Sequence, residues 1–380
     1  MTEKNGELPK GWKWIKLGDI LSVKSGSFLP AREMNQSGRF PVYGGNGING
    51  YHNEFMFEEP QIVIGRVGAL CGCVQLTQPK AWITDNALYV DQKKISFDDE
   101  FMAICLTYLD LNKYANSMAQ PVVSAKIIYS IEIPLPPLPE QKRIVAILNE
   151  QMAAVEKARA AAEAQLQAAK TLPAAYLREV FDSPEAQKWQ RKKLGEVCKI
   201  IAPLVDPKVP EYGILPHVNG ENIESGTCRL TYLNTAFEEG MTSGKYLFDS
   251  GDILYTKLRP YLRKVAVVDF QGLCSADTYP IKVDSKYLDN QFTGWLLVSD
   301  TFTNYANEAS ARARMPKLNR EQLFAWETPI PPIHLQKAMA EKLNRKIDEV
   351  KSLCETLQDQ LNTIKQLPPA LLRQAFNGEL

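Results

Sequence analysis

Apolar positions in two long segments of the chain recur at spacings that alternate between four and three. In the first segment they are Leu148, Met152, Val155, Ala162, Leu166 and Ala169, with Arg159 in the one polar slot. In the second they are Leu343, Ile347, Val350, Cys354, Leu357, Leu361 and Ile364. A 3.5-residue period is the seam of a coiled coil. Between Glu140 and Lys170 there is no glycine or proline, and alanine, glutamine, glutamate and lysine dominate, so one long helix is predicted there. The second stripe keeps the phase of the first at a shift of 195 positions (343 minus 148). Two matched stripes predict that the helices pack on each other, in preference to each lying on its own globular half.

The segments outside the helices have a shorter period. Residues 61–64, 72–75 and 87–90 read as strands broken by glycine turns, followed by a helix over 98–117. The same order returns with strands at 252–255, 264–268 and 280–283 and a helix over 290–305. An α+β fold with two homologous domains follows.

The repetition extends past the helices. Ile133-Pro-Leu-Pro-Pro-Leu-Pro-Glu-Gln-Lys142 returns as Thr328-Pro-Ile-Pro-Pro-Ile-His-Leu-Gln-Lys337, again at 195 (328 minus 133). Leu172-Pro173, Leu177-Arg178 and Phe181 recur as Leu367-Pro368, Leu372-Arg373 and Phe376. Upstream, Trp12 and Leu17-Gly18-Asp19 correspond to Trp189 and Leu194-Gly195-Glu196 at a shift of 177, so the second variable region is longer by 18 residues (195 minus 177). The chain is a tandem duplication whose ends match and whose middles differ. Two homologous globular domains are predicted at 1–137 and 183–332, with long helices at 138–182 and 333–380.

Composition narrows the function. With 45% hydrophobic and 23% charged residues, and no stretch near the ~20 apolar residues of a membrane span, the chain reads as a globular protein without membrane association. Its polar start, through Trp12, lacks the apolar core of a secretory signal, which makes a cytoplasmic location the expectation. Seven cysteines scattered from Cys71 to Cys354 suggest neither a disulfide framework nor a zinc site. Cys71 and Cys73, if they lie on a strand, share one face as small packing residues. The formal charge of +0 means that any nucleic-acid surface is local.

Catalytic motifs are missing where they are sought. Gly45-Asn-Gly-Ile-Asn-Gly50 fits GxGxxG, but no helix opens after it and no acidic residue follows near 65–75. The glycines shape a loop instead, with Tyr43 and Asn46 as candidate DNA contacts. Gly240-Met-Thr-Ser-Gly-Lys245 has the wrong spacing for an ATP-binding loop. His52, His217 and His334 sit in no metalloprotease or nucleophile motif, and neither Asn-Pro-Pro-aromatic nor Asp-Pro-Pro-aromatic occurs. The chain is read as non-catalytic, with no metal.

Basic clusters supply the DNA candidates. In the second domain they are Lys257, Arg259, Arg263 and Lys264, then Arg312, Arg314, Lys317 and Arg320; in the first, Arg66 and Lys126 are the counterparts. Arginine can fork onto guanine O6 and N7, and lysine neutralises phosphate; a solvated charged face is the plainer reading of either cluster.

These residues together make the chain resemble the specificity subunits of type I restriction-modification systems. The carriers are Gly11-Trp12 with Lys16-Leu-Gly-Asp19, the proline-rich run from Ile133 to Arg143, Asp252-Ile-Leu-Tyr-Thr-Lys-Leu-Arg-Pro-Tyr-Leu-Arg263, and the weaker echo from Thr328 to Lys337, where His334-Leu335 replaces Pro139-Glu140. The resemblance covers nearly the whole chain. It implies two target-recognition domains separated by two long antiparallel helices in a coiled coil, with pseudo-twofold symmetry. It further implies a subunit that reads an asymmetric bipartite target in double-stranded DNA. The implied partners are two adenine methyltransferase subunits and, in the full complex, ATP-driven restriction subunits. S-adenosylmethionine, and ATP with Mg, would be theirs, leaving no cofactor in this chain. Ile144, Ile147, Leu372 and the Pro-Pro segments are candidates for the partner interface. A coiled-coil protein-binding scaffold is the alternative and would show no salt-dependent DNA affinity; a stand-alone nuclease or fused methylase would act without partners.

A helix of about 30 residues spans about 45 Å, slightly more than the roughly 34–36 Å of one duplex turn, so the helices read as a ruler. Inserting one heptad into both is expected to change the preferred spacer while both half-sites stay the same. Motif mapping checks this, and altered half-sites would sink it.

Overall fold

The computed structural model describes residues 8–115, 121–311 and 316–380. The chain forms two units, one of Met1–Ala161 with Leu361–Leu380, the other of Ala162–Gln360.

In unit 1, β1 (Lys13–Lys16), α1 (Leu17–Ile20), β2 (Leu21–Ser25), β3 (Phe40–Gly44), β4 (Gly47–His52), β5 (Ile62–Gly65), β6 (Val74–Leu76), β7 (Trp82–Ile83) and β8 (Ala87–Lys93) precede α2 (Asp99–Tyr108), α3 (Ala125–Ser130) and β9 (Glu132–Leu135). Strands β2-β8-β5-β6 form an antiparallel sheet, β4-β3-β7 a smaller mixed one, and β1 pairs with β9 so that the domain closes on its own ends. Ile62 and Ile64, pointing to one face of β5, meet Phe101, Met102 and Leu106 of α2 in the core.

Unit 2 repeats this plan. It contains β10 (Gln190–Lys193), α5 (Leu194–Val197), β11 (Cys198–Lys199), β12 (Leu204–Val205), α6 (Pro210–Gly213), β13 (His217–Val218), β14 (Lys245–Phe248), β15 (Ile253–Thr256), β16 (Val265–Val267), β17 (Gly272–Cys274) and β18 (Thr278–Val283), then α7 (Asn290–Val298), α8 (Asp300–Ser310), α9 (Arg320–Ala325) and β19 (Glu327–Ile330). Here β11-β18-β15-β16 is the antiparallel sheet, β12-β14-β17-β13 the second, and β10 pairs with β19. The predicted strands are β5, β6, β8, β15, β16 and β18. Cys71 and Cys73 lie in the turn before β6, not on it, which removes the basis for a shared strand face. The predicted helix over 290–305 is two helices: Ser299 is extended (ψ 157°) and its hydroxyl accepts the Phe302 N–H, capping α8.

The long helix α4 (Leu138–Phe181) runs for 44 residues straight through Pro173. The second spacer is α10 (Ile333–Ile364) followed by a separate α11 (Leu367–Asn377). One proline removes one helical hydrogen bond, which α4 tolerates. Pro368-Pro369 removes two in succession, so the chain breaks and restarts with the prolines in a first turn whose N–H groups need no partner. In unit 1 the start of α4 packs on α11: Ile144 and Leu148 share a core with Ala375 and Phe376, and Arg143 donates to the Leu380 carbonyl (2.6 Å). In unit 2 the end of α4 packs on the start of α10: Leu177 and Phe181 meet Ala340, Leu343 and Ile347, and Glu179 bonds Lys342 (2.9 Å) and Lys346 (3.3 Å). Both pairings are antiparallel. Leu148, Val155, Leu166, Leu343, Ile347, Val350, Leu357 and Leu361 are buried, while Met152 and Ile364 are half-buried.

One glutamine docks each spacer helix on its domain. Gln141 is buried; its Oε1 accepts the Asp98 N–H (2.8 Å) and its Nε2 donates to the Pro136 carbonyl (2.8 Å). Gln336 does the same with Asp289 (2.8 Å) and Pro331 (2.7 Å), and donates to Tyr287 as well (2.8 Å). Asp98 and Asp289 are the N-caps of α2 and α7, so each glutamine ties the spacer to the first turn of the helix that backs the sheet.

Candidate nucleic-acid interface

The turns after β5 and β15 are one structure built from different residues. Aligned at a shift of 191 (253 minus 62), Arg66-Val-Gly-Ala-Leu-Cys-Gly72 corresponds to Lys257-Leu-Arg-Pro-Tyr-Leu-Arg263. In the first turn the Gly65, Arg66 and Gly68 N–H groups donate to the carbonyls of Cys73 (2.8 Å), Asn86 (3.0 Å) and Pro121 (3.1 Å). In the second, Thr256, Lys257 and Arg259 donate to Lys264 (3.0 Å), Asp277 (2.9 Å) and Pro316 (2.9 Å). The carbonyls of Arg66 and Lys257 accept from Val123 and Leu318, both at 2.9 Å. The backbone is left-handed at the same two places: Gly68 (φ 90°) and Gly72 (φ 84°) in the first turn, Arg259 (φ 50°) and Arg263 (φ 49°) in the second. Glycine adopts that conformation freely, whereas each arginine costs roughly 1–2 kcal/mol there.

The basic residues divide by what they touch. Lys257 is buried; its Nζ donates to the Ala276 carbonyl, pairs with Asp277 (3.1 Å) and lies over the Tyr279 ring (5.4 Å). Arg263 pairs with Asp300 and donates to the Val298 carbonyl (3.4 Å), which ties the turn to α8; Lys264 donates to the Gly220 carbonyl. Burial works to push the Asp300 carboxyl up, but the guanidinium groups of Arg263 and Arg178 outweigh it and hold the carboxyl below its ordinary value. Lys257 and Arg263 therefore position the turn, which corrects their reading as free DNA-facing cations. Tyr43 is corrected as well: it is 4% exposed in the core beside Val63 and Ile83, with its hydroxyl accepting the Gln78 N–H (3.1 Å).

Arg259, Lys317 and Arg320 are exposed around the second turn, with Lys317 bridged to Leu258. Arg320 opens α9 with its guanidinium over the rings of Tyr279 (5.7 Å) and Tyr246 (6.0 Å). Arg66 is exposed at the start of the first turn, Lys126 in the first turn of α3, and Asn46 at the tip of the β3–β4 hairpin. Arg312 and Arg314 lie outside the described residues. Ile144, proposed for a partner surface, is core in unit 1. Burial pushes the thiols of Cys105, Cys198 and Cys274 up to about 12, and no group of side chains among the described residues is arranged to hold a metal ion.

Sequence reasoning passed over Gln141 and Gln336, although their identity inside a motif that repeats at 195 was a usable signal. It also left the two turns unmatched, because an Arg-Val-Gly run and a Lys-Leu-Arg run agree only in a basic first and an apolar second position.

Arg259→Gly is expected to leave the melting temperature unchanged or a few degrees higher, because glycine relieves the left-handed strain. It should also weaken DNA binding and lower the log–log salt slope by about 1. Arg263→Gly, which loses the pair with Asp300, should instead melt earlier. A lower melting point for Arg259→Gly with unaltered DNA affinity would show that residue to be structural too.

The model of the type I restriction modification DNA specificity domain matches residues 9–163 and 186–363. The chain belongs to that family. Along almost its full length it is similar to the EcoDI specificity subunit of Escherichia coli, at 25% identity over 99% of this chain and 90% of the relative. The MjaVIII specificity subunit of Methanocaldococcus jannaschii is 24% identical, over 94% of this chain and 91% of its own. Among solved structures, the specificity subunit from Thermoanaerobacter tengcongensis superposes with a TM-score of 0.64 at 20% identity, covering 100% of both chains. A chain from a structure describing assembly and conformational transition of the type I R-M system superposes with a TM-score of 0.72 at 19% identity, over 99% of this chain and 100% of that one. At such identities the likeness shows the fold. As a specificity subunit, the chain supplies DNA sequence recognition to a type I restriction-modification complex, which favours this function over the scaffold alternative. No helix among the described residues is long and apolar enough to cross a membrane.

Proposed function

We propose that each domain of this specificity subunit reads one half of an asymmetric bipartite target, while the chain itself performs no chemistry. The observation that carries the reading is the duplication: two copies of the specificity domain in one chain, matching at 9–163 and 186–363, share a frame but present different side chains from it. Two like frames with unlike faces suit two different half-sites. Exposed Arg66, Lys126, Arg259, Lys317 and Arg320, with Asn46, are the residues we assign to DNA. Lysine and arginine there would neutralise phosphates, and a forked arginine would add base readout. The functional division proposed is 1–137 and 183–332 for recognition, with 138–182 and 333–380 as spacers.

In this reading two adenine methyltransferase subunits dock on the chain, and restriction subunits join in the full complex. S-adenosylmethionine, and ATP with Mg, belong to those partners. Moving an adenine out of the stack costs a few kcal/mol, which falls to the methyltransferase while this chain holds register. The test is to co-express the chain with its methyltransferase partner and map N6-methyladenine across the host genome. A gapped, asymmetric motif is expected. A stable complex that adds no methylation would favour the scaffold alternative.

A further inference from the structure

We propose that Leu70 and Tyr261, the tips of the two corresponding turns, are specificity-determining residues that make apolar contact with base edges, one in each half-site. The proposal rests on the DNA-reading function above and names side chains that carry it.

Both tips place a large apolar side chain in solvent at the same position of a shared turn. Leu70 is 56% exposed and Tyr261 53%, although their turn neighbours Cys71 and Pro260 are buried. Single exposed apolar residues are common on this chain, so what distinguishes these two is their matched place on an anchored turn. The turns are not loose: the matched hydrogen bonds described above fasten each, and in the first Asn112 adds bonds to the carbonyls of Cys71 (2.9 Å) and Ala69 (3.2 Å). A tip fixed before binding loses little freedom on contact.

The surroundings select duplex DNA as the occupant. Neither turn contains an acidic residue, and exposed cations flank both tips: Arg66 in the first, Arg259 and the bridged Lys317 in the second. Cations beside an apolar tip fit phosphates beside a groove. Leucine can neither donate nor accept a hydrogen bond, and the apolar group that a base pair shows in the major groove is the thymine 5-methyl. Tyrosine offers the same contact through its ring. The frame is common to both domains while the tip differs, as reading positions for two unlike half-sites should.

The experiment uses the complete complex with its methyltransferase partner and duplexes in which each thymine of the mapped target is replaced in turn by uracil, which lacks only the methyl. For the wild type, one replacement in each half-site should weaken binding roughly three- to tenfold. Leu70→Ala should abolish that sensitivity in one half-site alone, Tyr261→Ala in the other, and Tyr261→Phe should retain it; unchanged melting temperatures confirm intact folds. Variants that keep the wild-type uracil profile, or that lose affinity only for the methyltransferase subunit, would overturn the assignment while leaving DNA reading in place. A wild-type complex that prefers no duplex would overturn the DNA-reading function and this assignment with it.

Discussion

Phe376→Ala is expected to cost the first recognition domain about 3–5 kcal/mol, although the residue stands four positions from Leu380. Its ring stacks on Tyr108 (4.9 Å between centroids, 17° between planes) and lies 5.6 Å from Phe101, closing the core of unit 1 from the α11 side. Removing it leaves a cavity beneath α2 and frees the end of the second spacer. The mirror substitution, Phe181→Ala, empties the corresponding place against Phe292 (5.5 Å) in unit 2. Hydrogen exchange resolves the two: Phe376→Ala should lose protection in α2 and keep it in α7, and Phe181→Ala the reverse. Equal losses in both helices from either variant would show that each spacer end is not dedicated to one domain.

Replacing the docking glutamines with leucine should be nearly as damaging. In Gln141→Leu the Asp98 N–H and the Pro136 carbonyl lose a buried partner, at about 1–3 kcal/mol each. Gln336→Leu orphans the Tyr287 carbonyl as well, so it should cost roughly 1 kcal/mol more than Gln141→Leu. Leucine is close to glutamine in volume, so packing changes little and the difference reports the polar groups. Denaturant unfolding of both variants measures it. Costs below ~0.5 kcal/mol for both would mean that these bonds are not what seats the spacers.

The exposure of several candidate DNA contacts was legible from residue type. Arg66, Asn46, Lys126, Arg259 and Lys317 are exposed, as a polar side chain in a turn or on a helix rim usually is. Lys257 and Arg263 have the same composition around them, yet they turn inward. What decides their fate is Ala276, Asp277 and Asp300, brought up by the turn between β17 and β18 and by the start of α8. Tyr43 failed for a related reason: a glycine-rich run marks a hairpin, but which strand residue faces the core depends on the pleat and on β7 alongside it.

The sequence by itself determined the duplication, the helical spacers with their buried stripe, the α+β class and the family, because periodicity and repeated motifs are properties of neighbouring positions and survive without tertiary context. Only the tertiary structure decided that α4 passes through Pro173 while the second spacer breaks before Pro368-Pro369, and that Phe181 and Phe376 each close the core of the domain that their helix does not follow directly. It alone matched Gly68 and Gly72 with Arg259 and Arg263, because backbone left-handedness is imposed there by carbonyls and N–H groups from segments distant along the chain.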